Sequence, residues 1–91
     1  MKALIIAAHG SRRSQSNREI EALAERLAGK AAGTFETVTH AFLQFADPLI
    51  AARIEQLVEA GIKEIFIFPF FPFALRLLPL LAFSTPSTSL P

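Results

Sequence analysis

The sequence predicts a small α/β domain in which a parallel β-sheet is covered by helices. Residues 2–8 and 62–68 are almost wholly apolar, which is typical of strands buried on both faces of a parallel sheet. Two segments with the hydrophobic spacing of amphipathic helices lie between them. At 91 residues the chain has the length of one domain. This alternation predicts a small three-layer unit with the order β-α-β-α-β.

The first strand is expected at residues 2–8 and the first helix after Ser16. Ser16 and Glu19 have the spacing of a capping box, in which each side chain bonds the backbone of the other residue. Gly33 is expected to end the helix. The apolar face between these points comprises Ile20, Leu23, Ala24, Leu27, Ala28 and Ala31.

The second half repeats this arrangement. Residues 35–45 are rich in threonine, valine and phenylalanine, and they predict the second strand. Asp47 and Pro48 have the form of an N-cap followed by proline at the first helical position. The helix that follows is expected to end at Gly61, and residues 62–68 then form the third strand.

Residues 72–91 differ in character from residues 1–71. Five of the six prolines lie from Pro69 onward, and Arg76 is the one charged residue after position 70. We therefore expect an α/β domain at 1–71, followed at 72–91 by an irregular, apolar, proline-rich tail that is disordered from residue 84.

The apolar run at residues 65–83 approaches the length of a bilayer span. Arg76 and the internal prolines argue against a spanning helix. We expect no membrane insertion, and instead an exposed apolar patch that drives self-association.

Composition excludes several classes of function. The net charge of +1 gives no basic field for nucleic acid. The chain has no cysteine, so it forms no disulfide and no thiolate metal site, which fits a reducing compartment. Neither a phosphate-binding Walker loop nor a dinucleotide fingerprint is present. The apolar N-terminal run is too short for a signal peptide, and a cytoplasmic location is expected.

The first loop, His9 to Arg13, follows the predicted first strand at the edge of the sheet where α/β proteins bind ligands. Gly10 permits close approach of the backbone to a ligand. Ser11 offers a hydroxyl, and Arg12 and Arg13 offer forked donors for carboxylate or phosphate. His9 is able to exchange a proton or bind a metal ion near neutral pH. A polar turn without a ligand is an equally weighted interpretation.

Other candidate residues are less specific. His40 alternates with Val38 and Phe42, which favours a core or edge histidine, although it becomes a second metal ligand if the sheet turns it toward the first loop. Gln44 is able to present an amide to a ligand. A phenylalanine cluster is expected in the core or as an apolar wall for a flat macrocycle, and it comprises Phe66, Phe68, Phe70, Phe71 and Phe73.

Two sequence blocks together resemble the small class II chelatases, the sirohydrochlorin cobaltochelatases and ferrochelatases. The first is LIIAAHGSRRSQSN, in which His9, Gly10, Ser11, Arg12 and Asn17 match the opening motif of that family. The second is AFLQFADPLIAARIEQLVEAGIKEIFIFPFF, which matches the end of the family's second strand, its proline-started helix and its third strand. Together they cover roughly residues 3 to 71.

The resemblance implies a chelatase-like half domain that inserts Co²⁺ or Fe²⁺ into sirohydrochlorin in cobalamin or sirohaem biosynthesis. This is a lyase-class activity, carried out by a homodimer. His9 would be the catalytic residue and a metal ligand. For the second ligand, the position of His40 on the second strand leaves two candidates, His40 itself or His9 of a second copy in a symmetric dimer. Gly10, Arg12, Arg13 and the backbone of Ser11 would bind the carboxylates of the tetrapyrrole. The divalent metal, cobalt, iron or nickel, is a substrate, and no organic cofactor is implied.

The chain departs from the family pattern at two places. Gln44 stands where family members commonly carry glutamate. The family's second active-site histidine, which follows the third strand, has no counterpart in residues 72–91. These departures predict a truncated or frame-shifted member with impaired metal insertion. The alternative is a non-catalytic metal-binding or interaction module that retains the first loop as its ligand site.

Overall fold

A computed structural model of the chain describes residues 1–70 and the backbone of residues 81–84. The predicted α/β architecture, with three parallel strands and two helices, is confirmed. The elements, in chain order, are β1 (Lys2–Ala8), α1 (Ser14–Lys30), β2 (Thr37–Phe42), α2 (Ile50–Glu59), β3 (Glu64–Pro69) and β4 (Leu81–Ser84).

The sheet has the strand order β2-β1-β3-β4, with β1 paired in parallel to both β2 and β3. β4 lies antiparallel to β3, with Ser84 opposite Glu64. The sequence did not predict this strand, and Ser84, where disorder was expected to begin, is its last residue. The other residues of the predicted tail lie outside the described part of the chain. No helix in that described part has the length and apolar character needed to cross a membrane.

Strand β1 is buried on both faces, as its unbroken apolar sequence predicts. Its alternate residues Ala3, Ile5 and Ala7 are almost completely inaccessible and belong to the main core. The rest of this core comprises Ala41, Leu57, Ile62, Ile65 and Ile67, with Ile50, Ile54 and Val58 packed against it. The opposite face carries Ile6, also fully buried, and lies under α1, which packs over β2 and β1.

Helix α1 begins two residues before the predicted cap. Its N-cap is Arg13, and no side chain bonds the free backbone N–H groups there, so the predicted capping box is wrong. The backbone N–H of Arg13 donates to Ser11 Oγ at 3.0 Å, which fixes the entry to the helix before Ser16 is reached. The helix ends at Lys30 with Ala31 as its C-cap, so Gly33 lies beyond it.

Helix α2 begins at Ile50 with Leu49 as its N-cap, later than Asp47 and Pro48 predict. The reason is that Pro48 and Leu49 pair with the end of β2. The Pro48 carbonyl accepts the Phe42 N–H at 2.9 Å, and Leu49 forms a parallel bridge with Phe42. Leu49 therefore stays extended, and the helix starts after it. The Asp47–Pro48 peptide bond is cis.

The end of α2 confirms the importance of Gly61. This residue has a φ of +92°, its N–H donates to the Val58 carbonyl, and the Ile62 N–H donates to the Leu57 carbonyl, both at 3.0 Å. These two bonds form a Schellman motif, and Leu57 and Ile62 are both buried in the core. The turn therefore feeds the chain from α2 directly toward β3.

We expect Gly61→Ala to lower the free energy of unfolding by about 1 kcal/mol, because a side chain disfavours the left-handed backbone conformation. An added Cβ would lie 3.7 Å from Met1 Cε, an ordinary contact, so the loss arises from the backbone. Urea denaturation monitored by circular dichroism measures this change. Gly33→Ala is the control because nothing lies within 4 Å of its added Cβ, and equal stability of the two variants would contradict the assignment.

Candidate functional site

The first loop lies at the carboxyl edge of the sheet, as predicted. His9 directly follows β1 and is exposed. At the same edge, the Leu43 N–H donates to the Ala8 carbonyl at 2.9 Å, and the Phe70 N–H donates to the Ala7 carbonyl at 2.7 Å. The ends of β2 and β3 are thereby held on either side of the strand that carries His9.

An open pocket of about 220 Å³ lies between this edge and the start of α1. It is smaller than most sites that enclose a whole ligand, so it suits one edge of a larger molecule. The predicted phenylalanine wall is represented here by Phe70, whereas Phe71 and Phe73 lie outside the described residues. The pocket is lined by Ala8, His9, Gly10, Ser11, Ser16, Asn17, Glu19, Ile20, Phe42 and Phe70.

Asn17 fixes the shape of the loop. Its side-chain Oδ1 accepts the Ser11 N–H at 3.0 Å, and its Nδ2 donates to the Ser11 carbonyl at 2.7 Å. The Asn17 side chain thus engages both the N–H and the carbonyl of Ser11. The Ser11 N–H is therefore not available to a ligand. The Ser11 hydroxyl accepts the Arg13 N–H and keeps its own proton to donate.

Position 10 requires glycine because the backbone of Gln44 approaches it closely. It has a φ of +88°, and a Cβ added to it would lie 1.8 Å from the backbone oxygen of Gln44. The Gln44 N–H in turn donates to the His9 carbonyl at 3.1 Å. The glycine was predicted to let a ligand approach, but in the structure it lets the segment after β2 approach.

The two arginines of the loop are exposed and form a cationic rim. The Arg12 guanidinium carbon lies 4.8 Å from the centroid of the Phe45 ring, within the range of a cation–π contact. Arg13 is the N-cap of α1, and no acidic residue lies in the first turn of the helix. Because the N-terminus of a helix is itself electropositive, this arrangement favours an anionic ligand.

His40 lies under α1 and away from the loop. It pairs with Ile6, which precedes His9 by three residues, so the two histidines are separated by roughly 10 Å along the strand direction. Its ring contacts that of Phe42, with centroids 5.5 Å apart, and Arg53 Nε donates to its carbonyl at 2.9 Å. Within residues 1–70 and 81–84, no three His, Asp or Glu side chains are grouped as a metal site would require. The pairing of His9 with His40 as metal ligands stays a prediction.

Partial burial lowers the pKa of His40, and the nearby positive charge of Arg53 lowers it further. Glu21 and Glu25 on α1 act in the opposite direction, with smaller effect. At neutral pH the imidazole is therefore uncharged under the helix.

Sequence reasoning missed two contributors to the site. Asn17 belongs to the sequence motif, but its bracing of Ser11 depends on where α1 begins. Phe45 gave no signal, because phenylalanine rarely adopts the positive φ of +69° that it has here. The roles of Asn17 and Phe45 in the site both depend on contacts between segments, which a local sequence pattern does not reveal.

The fold and the loop together define an open α/β domain with a partly polar pocket at the carboxyl edge of its sheet. A model of the CbiX family matches residues 3–77, and the chain belongs to this family. The resemblance to the small class II chelatases is thereby confirmed.

Three curated relatives are named sirohydrochlorin cobaltochelatase. Those from Methanopyrus kandleri and Methanococcus maripaludis are 31% identical to the chain, and that from Methanocaldococcus jannaschii is 32% identical, each over 71 residues. Each match covers 78% of this chain and 48% of the relative. The chain thus spans about half the length of the curated relatives it matches.

We expect Gly10→Ala to lower the free energy of unfolding by at least about 2 kcal/mol, because it combines a disfavoured φ with a clash against the Gln44 carbonyl. Gly29→Ala is the matched control, since its added Cβ meets nothing within 4 Å on an exposed turn of α1. That variant is expected to be as stable as the wild type or slightly more so. Chemical denaturation measures the free energy of unfolding of both variants. A Gly10→Ala protein as stable as the wild type would contradict the close approach of the Gln44 carbonyl to Gly10.

The lowered pKa of His40 predicts a loss of stability in acid. The unfolded chain takes up a proton at His40 near pH 6.5, more readily than the folded chain, so this contribution is complete above that pH and is lost as the pH falls below it. Urea midpoints measured between pH 7.5 and 5.5 are expected to fall in the wild type and to fall less in His40→Leu. His9→Gln, at an exposed position, is the control, and an unchanged slope in His40→Leu would contradict the prediction.

Proposed function

We propose that this chain binds a divalent metal ion at His9 and inserts it, as Co²⁺ or Fe²⁺, into sirohydrochlorin. The observation that carries the proposal is the position of His9, which lines the pocket at the carboxyl edge beside two exposed arginines. The names of the curated relatives support the substrate.

Metal insertion requires that two pyrrole N–H protons leave the macrocycle as the divalent ion enters. A neutral imidazole is a good ligand for cobalt, iron or nickel ions and also a proton acceptor near neutral pH. His9 is the residue of the loop with both properties. We assign it the delivery of the metal, the removal of a proton, or both in sequence.

The carboxylates of the substrate are assigned to the cationic rim. Arg12 and Arg13 are exposed and are able to form paired hydrogen bonds to carboxylate groups. The Ser11 hydroxyl adds a donor, while Gly10 contributes by admitting the Gln44 backbone that supports the loop. In this assignment Ser11 acts through its side chain, since Asn17 already occupies its amide.

One imidazole provides a weak metal site, because divalent transition ions bind several ligands. The sequence has two histidines and no cysteine. We propose that the second ligand comes from His40 or from His9 of a second copy in a homodimer, and that insertion is slow as a result. The absence of cysteine agrees with a reaction in the reducing cytoplasm.

A metal- or anion-binding module without insertion activity is the second candidate. The observation that favours anion binding is the start of α1, where Arg13 is the N-cap and the first turn has no acidic residue. Such a module would bind inorganic phosphate or the macrocycle and release both unchanged.

Anaerobic incubation of the purified chain with sirohydrochlorin and Co²⁺, followed by absorbance, tests the proposal. We expect slow cobalt insertion that His9→Ala reduces at least about tenfold, because the metal ligand and proton acceptor are lost. Lys30→Ala, at the far end of α1, is the control that should retain the wild-type rate.

A cobalt titration in the absence of the macrocycle separates binding from insertion. Weaker binding in His40→Ala as well as in His9→Ala identifies His40 as the second ligand, and an effect of His9→Ala alone points to the dimer. An insertion rate equal in the wild type and His9→Ala would overturn the proposed role of His9. Binding without any insertion would establish the second candidate.

A further inference from the structure

Phe45 adopts a backbone conformation that phenylalanine normally avoids. Its φ is +69°, and it is the one non-glycine residue with positive φ in the described part of the chain. This conformation costs a bulky residue free energy that glycine or asparagine would not lose. Such strain at a residue is a reason to look for a function there.

Packing in the interior does not compensate for the strain. Phe45 is 53% exposed, and the neighbouring Leu43 and Leu49 are 48% and 43% exposed. Among residues 1–70, the one other large apolar side chain with comparable exposure is that of Met1, at the start of the chain. The exposed apolar groups are therefore concentrated on the segment that follows β2.

This segment is fixed to the first loop on two sides. Hydrogen bonds from Leu43 to Ala8 and from Gln44 to His9 hold its backbone, and the Arg12 guanidinium lies 4.8 Å from the Phe45 ring centroid. The strained residue thus presents an exposed aromatic ring with the Arg12 guanidinium over one of its faces, next to the loop that carries His9.

We infer that Phe45 is a stacking residue for a flat aromatic ligand and that Arg12 binds an anionic group at the rim of the same ligand. The face of the Phe45 ring opposite Arg12 is the one that would stack on another π system, and the guanidinium would select ligands with peripheral carboxylates. A tetrapyrrole with carboxylate side chains has both features. The inference rests on the proposed function and assigns a substrate-binding residue to the same site.

Uroporphyrin, a flat tetrapyrrole bearing carboxylates, is a suitable probe, and its fluorescence anisotropy reports binding to the full chain. We expect Phe45→Gly to weaken binding at least about fivefold, the lower end of what stacking on an aromatic side chain contributes. The urea midpoint of this variant is expected to stay at or above that of the wild type, because glycine relieves the positive φ.

Two further variants complete the test. Phe45→Leu keeps an apolar side chain but removes the aromatic face, so it is also expected to weaken binding. Leu49→Ala is the control, because Leu49 bridges to Phe42 on the edge of β2 opposite β1 and its exposure is similar to that of Leu43. It should leave the affinity unchanged.

The outcomes separate this inference from the proposed function. Equal affinity in the wild type and Phe45→Gly, or no binding of uroporphyrin by the wild type, overturns the inference. A loss of both stability and binding in Phe45→Gly also overturns it, because the ring would then be a structural anchor. Cobalt insertion that depends on His9 would leave the proposed function standing in each case. Binding that depends on Phe45 without any insertion would support the inference alone.

Discussion

The contact between Gly10 and the backbone of Gln44 is the constraint on which the candidate site depends. It joins the loop after β1 to the segment after β2, at a distance that no side chain at position 10 would allow. The Gln44 N–H closes the same junction by donating to the His9 carbonyl. The position of His9, the course of the residues that follow β2 and the placement of Phe45 beside Arg12 all depend on this approach.

Around this junction, the backbone groups of the loop hold its shape, whereas its charged side chains are exposed. The backbone of Ser11 is engaged by Asn17, and the Arg13 N–H by the Ser11 hydroxyl. The guanidinium groups of Arg12 and Arg13, by contrast, remain exposed at the surface. A site built in this way is organised before a ligand arrives, so binding requires little ordering of the backbone.

The fold could be predicted from the sequence where one local pattern decides the structure. The apolar run at residues 2–8 coincides with β1, because a strand covered on both faces needs no polar alternation. The helix starts could not be predicted in this way. Ser16 and Asp47 are good caps in isolation, but two other hydrogen bonds determine where the helices begin: the local one from Arg13 to Ser11 and the one from Phe42 to Pro48. The loop of the site was located from its position after β1, whereas the roles of Gln44 and Phe45 depend on contacts with other segments.

The double hydrogen bond between Asn17 and Ser11 restricts which residue is acceptable at position 17. The Ser11 N–H needs an acceptor and the Ser11 carbonyl needs a donor, which fixes the orientation of the amide. Aspartate lacks the donor, and glutamine carries its amide one methylene further from the helix. The slow conversion of asparagine to aspartate in an ageing protein would therefore be enough to set a carboxylate against the Ser11 carbonyl. The shape of this loop therefore depends on the chemical integrity of a single side-chain amide.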